Sequence, residues 1–280
     1  MVEKAQDANT TAPDAEASRE SGGESPGSFL RFVLLVALAA LAFRSFAFSL
    51  FNIPSESMLP RLMNGDYLVA SKWPYGYTSN SLPFDIDLIP GRWFAAQPIR
   101  GDIVIFKHPV DGTDYVKRAI GLPGDTVELR GGQVILNGRG VPQVKQEDFR
   151  IPVSANTRCA WAAESERQAD GRILCRYTRL RETLPGGKSY DILDFGTLPQ
   201  DDYGPVTVPE GAMFLLGDNR DNSQDSRFTP EPNGGVGLVP QALLVGRAET
   251  IVFSTDGSAE WLRPGSWFSG TRWQRMGDGL

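Results

Sequence analysis

The chain has 280 residues, of which 41% are hydrophobic, and a net charge of −6 at pH 7. Such a chain can bury a core in one or two domains and is too polar for a membrane protein with many spans. The acidic balance argues against a nucleic-acid partner, which needs clustered Lys and Arg. One histidine and two cysteines cannot build a multi-histidine or four-cysteine metal site, and the sequence predicts no metal and no other cofactor.

Two segments precede the globular part. Residues 1–28 contain six acidic and two basic side chains and no aromatic residue, which predicts a disordered acidic tail. Residues 29–51 are the longest apolar stretch and predict one membrane anchor with an interfacial segment. The uninterrupted run 32–43 covers only about 18 Å as a helix. We therefore expect Arg31 and Arg44 to reach opposite interfaces, with 45–51 continuing the helix or lying among the headgroups.

Two other interpretations of the apolar segment are a cleavable signal sequence and a buried core helix. The acidic tail disfavours a cleavable signal sequence, because in a secretory signal a basic region normally precedes the apolar core. The Lys and Arg residues on the two sides of the segment leave its orientation open.

Beyond residue 52, short β-branched and aromatic runs separated by turn residues predict β structure. The predicted strands are 67–70, 102–106, 115–120, 126–130, 133–136, 212–216 and 243–253. Gly131-Gly132 fits a two-residue hairpin turn, and a short turn is predicted at 240–243. The segment 139–210 is predicted to be an insertion with few certain elements, and 254–280 a C-terminal tail.

Three segments carry side chains suited to chemistry. Between Pro54 and Pro60, a serine beside large apolar residues could be a nucleophile, although serines near prolines more often form a turn or cap. Lys117 interrupts an apolar strand; a buried lysine can act as a neutral general base, whereas a half-exposed one reaches solvent. The polar loop 217–227 does not match the pattern of a calcium-binding loop. Arg220 lies at the third position, where a ligand is needed, Ser223 replaces the glycine of the sixth position, and Thr229 replaces the glutamate of the twelfth.

Together these runs resemble, in order, the signature boxes of bacterial type I signal peptidases (leader peptidases). The matching runs are Ile53-Pro-Ser-Glu-Ser-Met58, Gly101-Asp-Ile-Val-Ile-Phe106, Tyr115-Val-Lys-Arg-Ala-Ile-Gly-Leu-Pro-Gly-Asp125, Gly217-Asp-Asn-Arg-Asp-Asn-Ser223 and Asp225-Ser-Arg227. The resemblance spans about residues 30–253 and is weakest through the insertion.

The resemblance implies an all-β catalytic domain of coiled antiparallel sheets behind one N-terminal transmembrane helix. It implies a serine endopeptidase with a Ser-Lys dyad that cleaves N-terminal signal peptides from exported preproteins after small residues of the Ala-x-Ala type. The partners would be those signal peptides and the lipid bilayer, with no nucleic acid and no metal. The chain would cross the bacterial inner membrane once, with its tail in the cytoplasm and its catalytic domain, divided into 52–138 and 211–253, outside.

Roles follow from the resemblance residue by residue. Ser57 matches the nucleophile, Lys117 the general base, and Ser223 the hydroxyl that orients the lysine amine. Ser55 matches the hydroxyl that joins the Ser57 backbone N–H in the oxyanion hole. Two structural ion pairs of the family are matched by Arg118 with Asp218 and by Asp225 with Arg227. The residues that match the substrate pocket are Ile53, Met58, Leu62, Tyr115 and Val116. Glu56 departs from the pattern, since many members have glycine there, which puts the electrostatics of the oxyanion hole in question.

The remaining reactive residues have simpler interpretations. His108 is predicted to be an exposed turn histidine. Cys159 and Cys175 match neither a metal pair nor a Cys-x-x-Cys redox site; in an oxidising compartment they could form one disulfide, which the sequence leaves open.

Two other functions remain open. Self-cleaving repressor-type peptidases use similar Ser-Lys chemistry but carry a DNA-binding helix-turn-helix where this chain has an apolar segment. A membrane-tethered β-rich binding module is the second alternative, and covalent labelling of Ser57 would distinguish it from an enzyme.

Overall fold

The computed structural model describes residues 26–81, 89–161, 163–260 and 262–280. Nearly all of the predicted tail lies outside these residues. The first described element is helix α1, Pro26–Phe46, whose 21 residues include a window of mean hydropathy 2.0. At 1.5 Å per residue the helix is about 31 Å long, so it is long and apolar enough to cross a bilayer.

The sequence analysis expected the segment 45–51 to continue the helix or to lie among the headgroups, and only Ser45 and Phe46 continue the helix. The helix ends at Phe46 and strand β1, Phe48–Asn52, pairs with the next strand, with Phe48 opposite Ser71 and Asn52 opposite Tyr67. The side chains alternate along β1, because Ser49 is buried whereas Leu50 is exposed. A period of two is the pattern of a strand with one covered face.

The remaining elements follow in chain order and belong to one compact unit, Leu41–Leu280. They are β2 (Asp66–Ser71), β3 (Ile103–Lys107), β4 (Asp114–Gly121), β5 (Thr126–Arg130), β6 (Gln133–Leu136), β7 (Arg139–Gly140), β8 (Gln143–Lys145), β9 (Phe149–Pro152), β10 (Glu164–Arg167), β11 (Ile173–Thr183), β12 (Ser189–Asp194), β13 (Tyr203–Thr207), β14 (Ala212–Leu216), β15 (Val239–Pro240), β16 (Leu244–Ser254) and α2 (Pro264–Ser269). The predicted strands are confirmed to within one residue at each end.

Local turn chemistry is confirmed as well. The Gly131-Gly132 turn joins β5 to β6, with φ of 52° and 79° at the two glycines and Arg130 opposite Gln133. Positive φ at both central residues is what a tight hairpin turn of this twist requires. The predicted turn at 240–243 contains a 3-10 helix over Gln241–Leu243.

The main sheet is antiparallel, with strand order β1-β2-β16-β3-β4-β14-β15. Strand β3 is buried on both faces, because Ile103 and Ile105 belong to one core cluster and Val104 and Phe106 to another. This explains its continuous apolar run. Strand β4 lies between β3 and β14, and Lys117 is paired with Val104 near the middle of the sheet.

The insertion contains far more strand than expected. Strands β8, β9, β10 and β12 all pair with the long strand β11, and another sheet has the order β13-β5-β6-β7. Along β11 the side chains of Cys175, Tyr177 and Glu182 are buried, whereas those of Thr178 and Arg181 are exposed. The charged half of the strand obscured its apolar pattern, so the sequence analysis missed it.

The two cysteines form a disulfide, which settles the question that the sequence left open. The C-terminal segment packs against the main sheet instead of trailing from it. Arg275 donates to both carboxylate oxygens of the fully buried Asp66, at 3.1 and 2.6 Å, and the Leu280 N–H donates to the Glu249 carbonyl oxygen at 2.9 Å.

The prediction for His108 is wrong, because its side chain is buried. Nδ1 accepts the backbone N–H of Val110 at 3.2 Å, and Nε2 lies 3.2 Å from the Gly235 carbonyl oxygen. The ring also packs against Tyr115, with 4.8 Å between centroids. This histidine therefore holds a loop in place through hydrogen bonds that the sequence did not reveal.

Candidate active site

Ser57 and Lys117 meet at the surface of the main sheet. The Lys117 Nζ donates to the Ser57 Oγ at 2.8 Å, and the two residues are only 3% and 8% exposed. Ser57 lies in the loop after β1, and Lys117 is in β4, sixty positions away in the chain. The contact therefore depends on the sheet, which carries both segments.

The loop after β1 is held rigidly. Its apolar side chains Ile53, Met58 and Leu62 are buried in one core cluster. The Leu62 N–H donates to the Met58 carbonyl oxygen at 2.8 Å, and the Gly65 N–H to that of Ile53 at 2.9 Å. Apolar anchors on both sides of Ser57 fix where its hydroxyl points.

Burial changes the acid–base behaviour of Lys117. Desolvation lowers the pKa of its amine to about 8, while the carboxylates of Asp225 and Asp218 act in the opposite direction and the guanidinium of Arg227 lowers it slightly further. Desolvation dominates because an ammonium loses most of its hydration in such a site. Near neutral pH the neutral amine is thus far more populated than in an exposed lysine.

The polar loop 217–227 holds the serine segment through main-chain contacts. The Asn219 N–H donates to the Ser57 carbonyl oxygen at 3.0 Å, and the Asn219 Nδ2 donates to the Glu56 carbonyl oxygen at 3.0 Å. Gly217 is required by space, since a Cβ there would lie 2.2 Å from the Ser223 Oγ and 2.6 Å from the Ser57 carbonyl oxygen. The sequence analysis did not single out Asn219.

The two other predicted serines lie beside Ser57. The hydroxyl oxygens of Ser55 and Ser57 are 3.4 Å apart. The Ser223 side chain is buried next to Gly217, and within the described part of the chain its hydroxyl has no hydrogen-bond partner. The orienting contact between Ser223 and the lysine amine therefore stays a prediction.

Buried ion pairs brace the site. Arg118 holds Asp218 with two hydrogen bonds of 2.7 and 2.6 Å. Arg227 holds Asp225 with bonds of 2.9 and 3.0 Å, and Asp225 also accepts the Gly217 N–H at 3.1 Å. These contacts bring together both pairs of residues that the sequence singled out.

A third buried pair was missed. The Arg220 side chain donates to both carboxylate oxygens of Glu182, one of them at 2.8 Å. Gln143 donates to the same Glu182 carboxylate at 2.9 Å. Arg220 lies in one of the signature boxes, whereas Glu182 belongs to the insertion, where no sequence pattern indicated a buried carboxylate.

A pocket of about 330 Å³ opens beside Ser57 and Lys117. Four of the predicted pocket residues line it, namely Ile53, Met58, Tyr115 and Val116, with Asn222, Gln224 and Asn233 also in its wall. Leu62 is fully buried in the core cluster that contains Ile53 and Met58, so it supports the wall from behind. The polar wall residues escaped sequence analysis because single Asn and Gln residues in loops carry no signal.

Glu56 lies between the two serines and is half-buried. Its carboxyl pKa is raised by burial, an effect opposed by a hydrogen bond from the Arg158 backbone. The Asn222 Nδ2 lies 3.5 Å from the Glu56 Oε2. Among the residues that the structure describes, no group of three or more His, Cys, Asp or Glu could hold a metal ion.

The sequence is similar to those of known proteins. The family model described as signal peptidase, peptidase S26, matches residues 27–253. The chain is 34% identical over 238 residues to the Signal peptidase I of Rickettsia typhi, covering 81% of this chain and 80% of the relative. It is 36% identical over 231 residues to that of Rickettsia akari, covering 79% and 77%.

A solved signal peptidase I from Enterococcus faecalis is 29% identical and covers 54% of this chain and 97% of its own, with a TM-score of 0.28. The length of the match to the family model and the identity to the relatives decide the assignment. The chain therefore belongs to the signal peptidase family, peptidase S26, and is a signal peptidase hydrolase.

Proposed function

We propose that the chain is a membrane-anchored serine endopeptidase that removes signal peptides from exported preproteins after small residues of the Ala-x-Ala type. The observation that carries the proposal is the 2.8 Å contact between the Ser57 hydroxyl and the buried amine of Lys117. The contact lies at the wall of a partly apolar pocket. A nucleophile needs an adjacent base, and a desolvated lysine supplies one.

In the proposed mechanism, the neutral Lys117 amine takes the proton of Ser57 as its Oγ attacks the scissile carbonyl carbon. The Ser57 N–H and the Ser55 hydroxyl stabilise the negative charge that develops on the carbonyl oxygen. As the C–N bond breaks, the Lys117 ammonium gives its proton to the leaving amine. The neutral Lys117 amine then takes a proton from water, whose oxygen attacks the acyl-enzyme ester. As the ester C–O bond breaks, the Lys117 ammonium returns that proton to the Ser57 Oγ and the signal peptide leaves as a carboxylic acid.

Pocket geometry supports the proposed specificity. In an extended peptide, alternate side chains point to the same side, so the first and third residues before the scissile bond would face one wall together. Ile53, Met58, Tyr115 and Val116 give that wall an apolar surface. Such a surface suits the methyl groups of alanine side chains.

A direct test uses the purified full chain and a preprotein whose signal peptide ends in Ala-x-Ala. We expect one cut after the final alanine, located by mass spectrometry of the mature fragment. Replacing that alanine with tyrosine should abolish the cut. An uncut substrate, or equal cleavage of both substrates, would contradict the proposal.

The pH dependence should report the Lys117 amine. Its pKa is lowered to about 8, and only the deprotonated form accepts the Ser57 proton, so we expect kcat/KM to rise with pH through about 8 and to fall on acidification. Peptide cleavage measured below saturation would show this limb. A profile flat between pH 6 and 10 would exclude a lysine base.

Lys72 provides a matched control for the pH profile. This second lysine is also buried and its pKa is also lowered to about 8, but its amine donates to the Ser81 carbonyl oxygen. We expect the Lys72→Met variant to keep the same limb. If this variant lost the limb, the limb would report the Lys72 amine, and the assignment to Lys117 would be wrong.

The proposed location is the bacterial inner membrane, crossed once by α1, with the catalytic domain outside the cytoplasm. The Cys159–Cys175 disulfide supports this side, since disulfides persist in oxidising compartments. Eleven residues lead from the helix end at Phe46 to Ser57. Even fully extended they reach only about 40 Å, which keeps the nucleophile near the headgroups where a signal peptide emerges.

Removing the anchor tests this positioning. A chain that begins at Ala47 retains β1 and should cut short peptides normally, yet cut preproteins in vesicles clearly more slowly than the full chain. The quantity to compare is the ratio of preprotein to peptide turnover. Equal ratios for the two chains would show that the anchor does not position the active site.

A further inference from the structure

A cavity that shares no lining residue with the apolar pocket concentrates positive charge. Its volume is about 580 Å³. Six cationic side chains line it: Arg61, Arg118, Arg179, Arg181, Lys188 and Arg275. Asp191 is the one acidic side chain among its described lining residues, and Asp218, Asp102 and Asp66 lie behind the wall, paired with Arg118, Lys188 and Arg275. The six cations come from five separate parts of the chain, so tertiary folding brings them together. The chain as a whole has a net charge of −6.

The insertion side of the cavity carries more positive than negative charge. One carboxylate serves two guanidinium groups there, because the Asp191 Oδ1 accepts from the Arg181 Nε at 2.7 Å and the Asp191 Oδ2 lies 3.5 Å from an Arg179 nitrogen. The Lys188 amine is 3.4 Å from Asp102 and its side chain is 41% exposed. The Arg181 and Lys188 side chains are 49% and 41% exposed, so each can also bind an incoming anion.

The opposite side of the cavity has a similar surplus. The Arg61 side chain donates to the main-chain carbonyl oxygen of Gly279, which is a neutral group. Arg275 shares the Asp66 carboxylate with Arg272, which lies 3.8 Å away. Several like charges that converge on a partly enclosed cavity produce a positive potential that attracts anions.

The shape and chemistry of the wall favour one class of anion. Arginine forks bind phosphate oxygens in pairs, and Pro60, Met63 and Phe149 add apolar surface beside them. A water molecule takes up ~30 Å³ of liquid. A cavity of about 580 Å³ therefore has room for a group much larger than the five heavy atoms of a bare phosphate. We propose that it binds a phosphate ester, with the phosphate among the arginines and the organic part against the apolar wall.

Such a ligand would connect two parts of the molecule. Arg61 lies four residues after Ser57, and Arg179 belongs to the insertion. A ligand that binds only the folded chain stabilises it in proportion to the logarithm of its concentration. Occupancy should therefore raise the unfolding temperature and hold the serine segment against the insertion.

The experiment uses the full chain in a neutral detergent at about 0.15 M salt, where weak nonspecific charge attraction is screened. The probes are glycerol 3-phosphate, dihexanoyl phosphatidylglycerol, and dihexanoyl phosphatidylcholine as the zwitterionic control. We expect a saturable rise of several degrees in the unfolding temperature with at least one anionic probe and little change with phosphatidylcholine. Saturation by glycerol 3-phosphate assigns a soluble phosphate ester, and saturation by phosphatidylglycerol alone assigns a lipid headgroup. No saturable shift with either anionic probe overturns the proposal.

Paired variants place the binding in the cavity. In Arg179→Gln/Lys188→Gln we expect at least tenfold weaker binding of the active probe, with unchanged peptide cleavage in its absence. The control is Arg130→Gln/Arg150→Gln, which removes two exposed arginines that lie outside the cavity wall and should bind as the unmodified chain does. If the first variant fails to unfold cooperatively, Arg61→Gln replaces it. Equal weakening in cavity and control variants would show general charge attraction and overturn the site.

Discussion

Replacing Ser57 or Lys117 with alanine is expected to reduce preprotein cleavage by about 10⁴-fold or more, because each change removes one half of a single reacting unit. The two groups lie 2.8 Å apart, and in the proposed mechanism they act on the same proton. The double variant should therefore be no slower than either single variant. Single-turnover cleavage, measured at equal protein concentration, provides the comparison.

The fold should survive these changes. Lys117→Met in particular removes an amine whose burial disfavours its charged form, so the variant should unfold at least as late as the unmodified chain at pH 7. Ser55→Ala is the graded comparison, with an expected loss of about 10²- to 10³-fold, typical of one oxyanion donor. Near-native turnover in folded Lys117→Ala would refute the dyad.

Replacing Asp218 with alanine is expected to destabilise the folded chain by about 3–5 kcal/mol, since it leaves a buried guanidinium without its carboxylate. Arg118 and Asp218 are 3% and 1% exposed and share two short hydrogen bonds. Denaturant unfolding gives the free energy of unfolding. The pair also lies beside Lys117, so cleavage should fall in the same variant.

Two controls separate loss of a partner from loss of side-chain contacts. Glu128→Ala breaks an ion pair with the exposed Arg130 and should change the unfolding midpoint little, because exposed pairs contribute little. Arg118→Met/Asp218→Leu removes both charges and should recover much of the stability that Asp218→Ala loses. An Asp218→Ala variant as stable as Glu128→Ala would contradict this account.

Strands with simple patterns were predictable from the sequence. Strand β3 is covered on both faces and is therefore apolar throughout, and the β5–β6 hairpin is specified by its two glycines. Strand β11 was not predictable, because Arg179 and Arg181 continue the alternation begun by the buried Cys175 and Tyr177, while a charged residue, Glu182, is buried on the opposite face. Short β8 and β9 form only because β11 provides their hydrogen-bond partners.

Burial of single residues was the weakest part of the sequence reasoning. His108 lies in a loop between β3 and β4, yet contacts with Tyr115 and Gly235 bury it. Leu62 was expected in the pocket wall, but the loop geometry turns it fully into the core. Neither outcome can be deduced from neighbouring residues in the chain, since the contacts come from distant segments.

By itself, the sequence determined the features that depend on local composition: the apolar N-terminal segment, the main strands, the hairpin turn and the three boxes that contain Ser57, Lys117 and the loop 217–227. The tertiary structure decided how these boxes meet, because the 2.8 Å contact between Ser57 and Lys117 requires segments sixty positions apart to lie on one sheet. It also decided the pKa of Lys117, since desolvation depends on everything packed around the amine. The disulfide, the Arg220–Glu182 pair and the cationic cavity were decided in the same way.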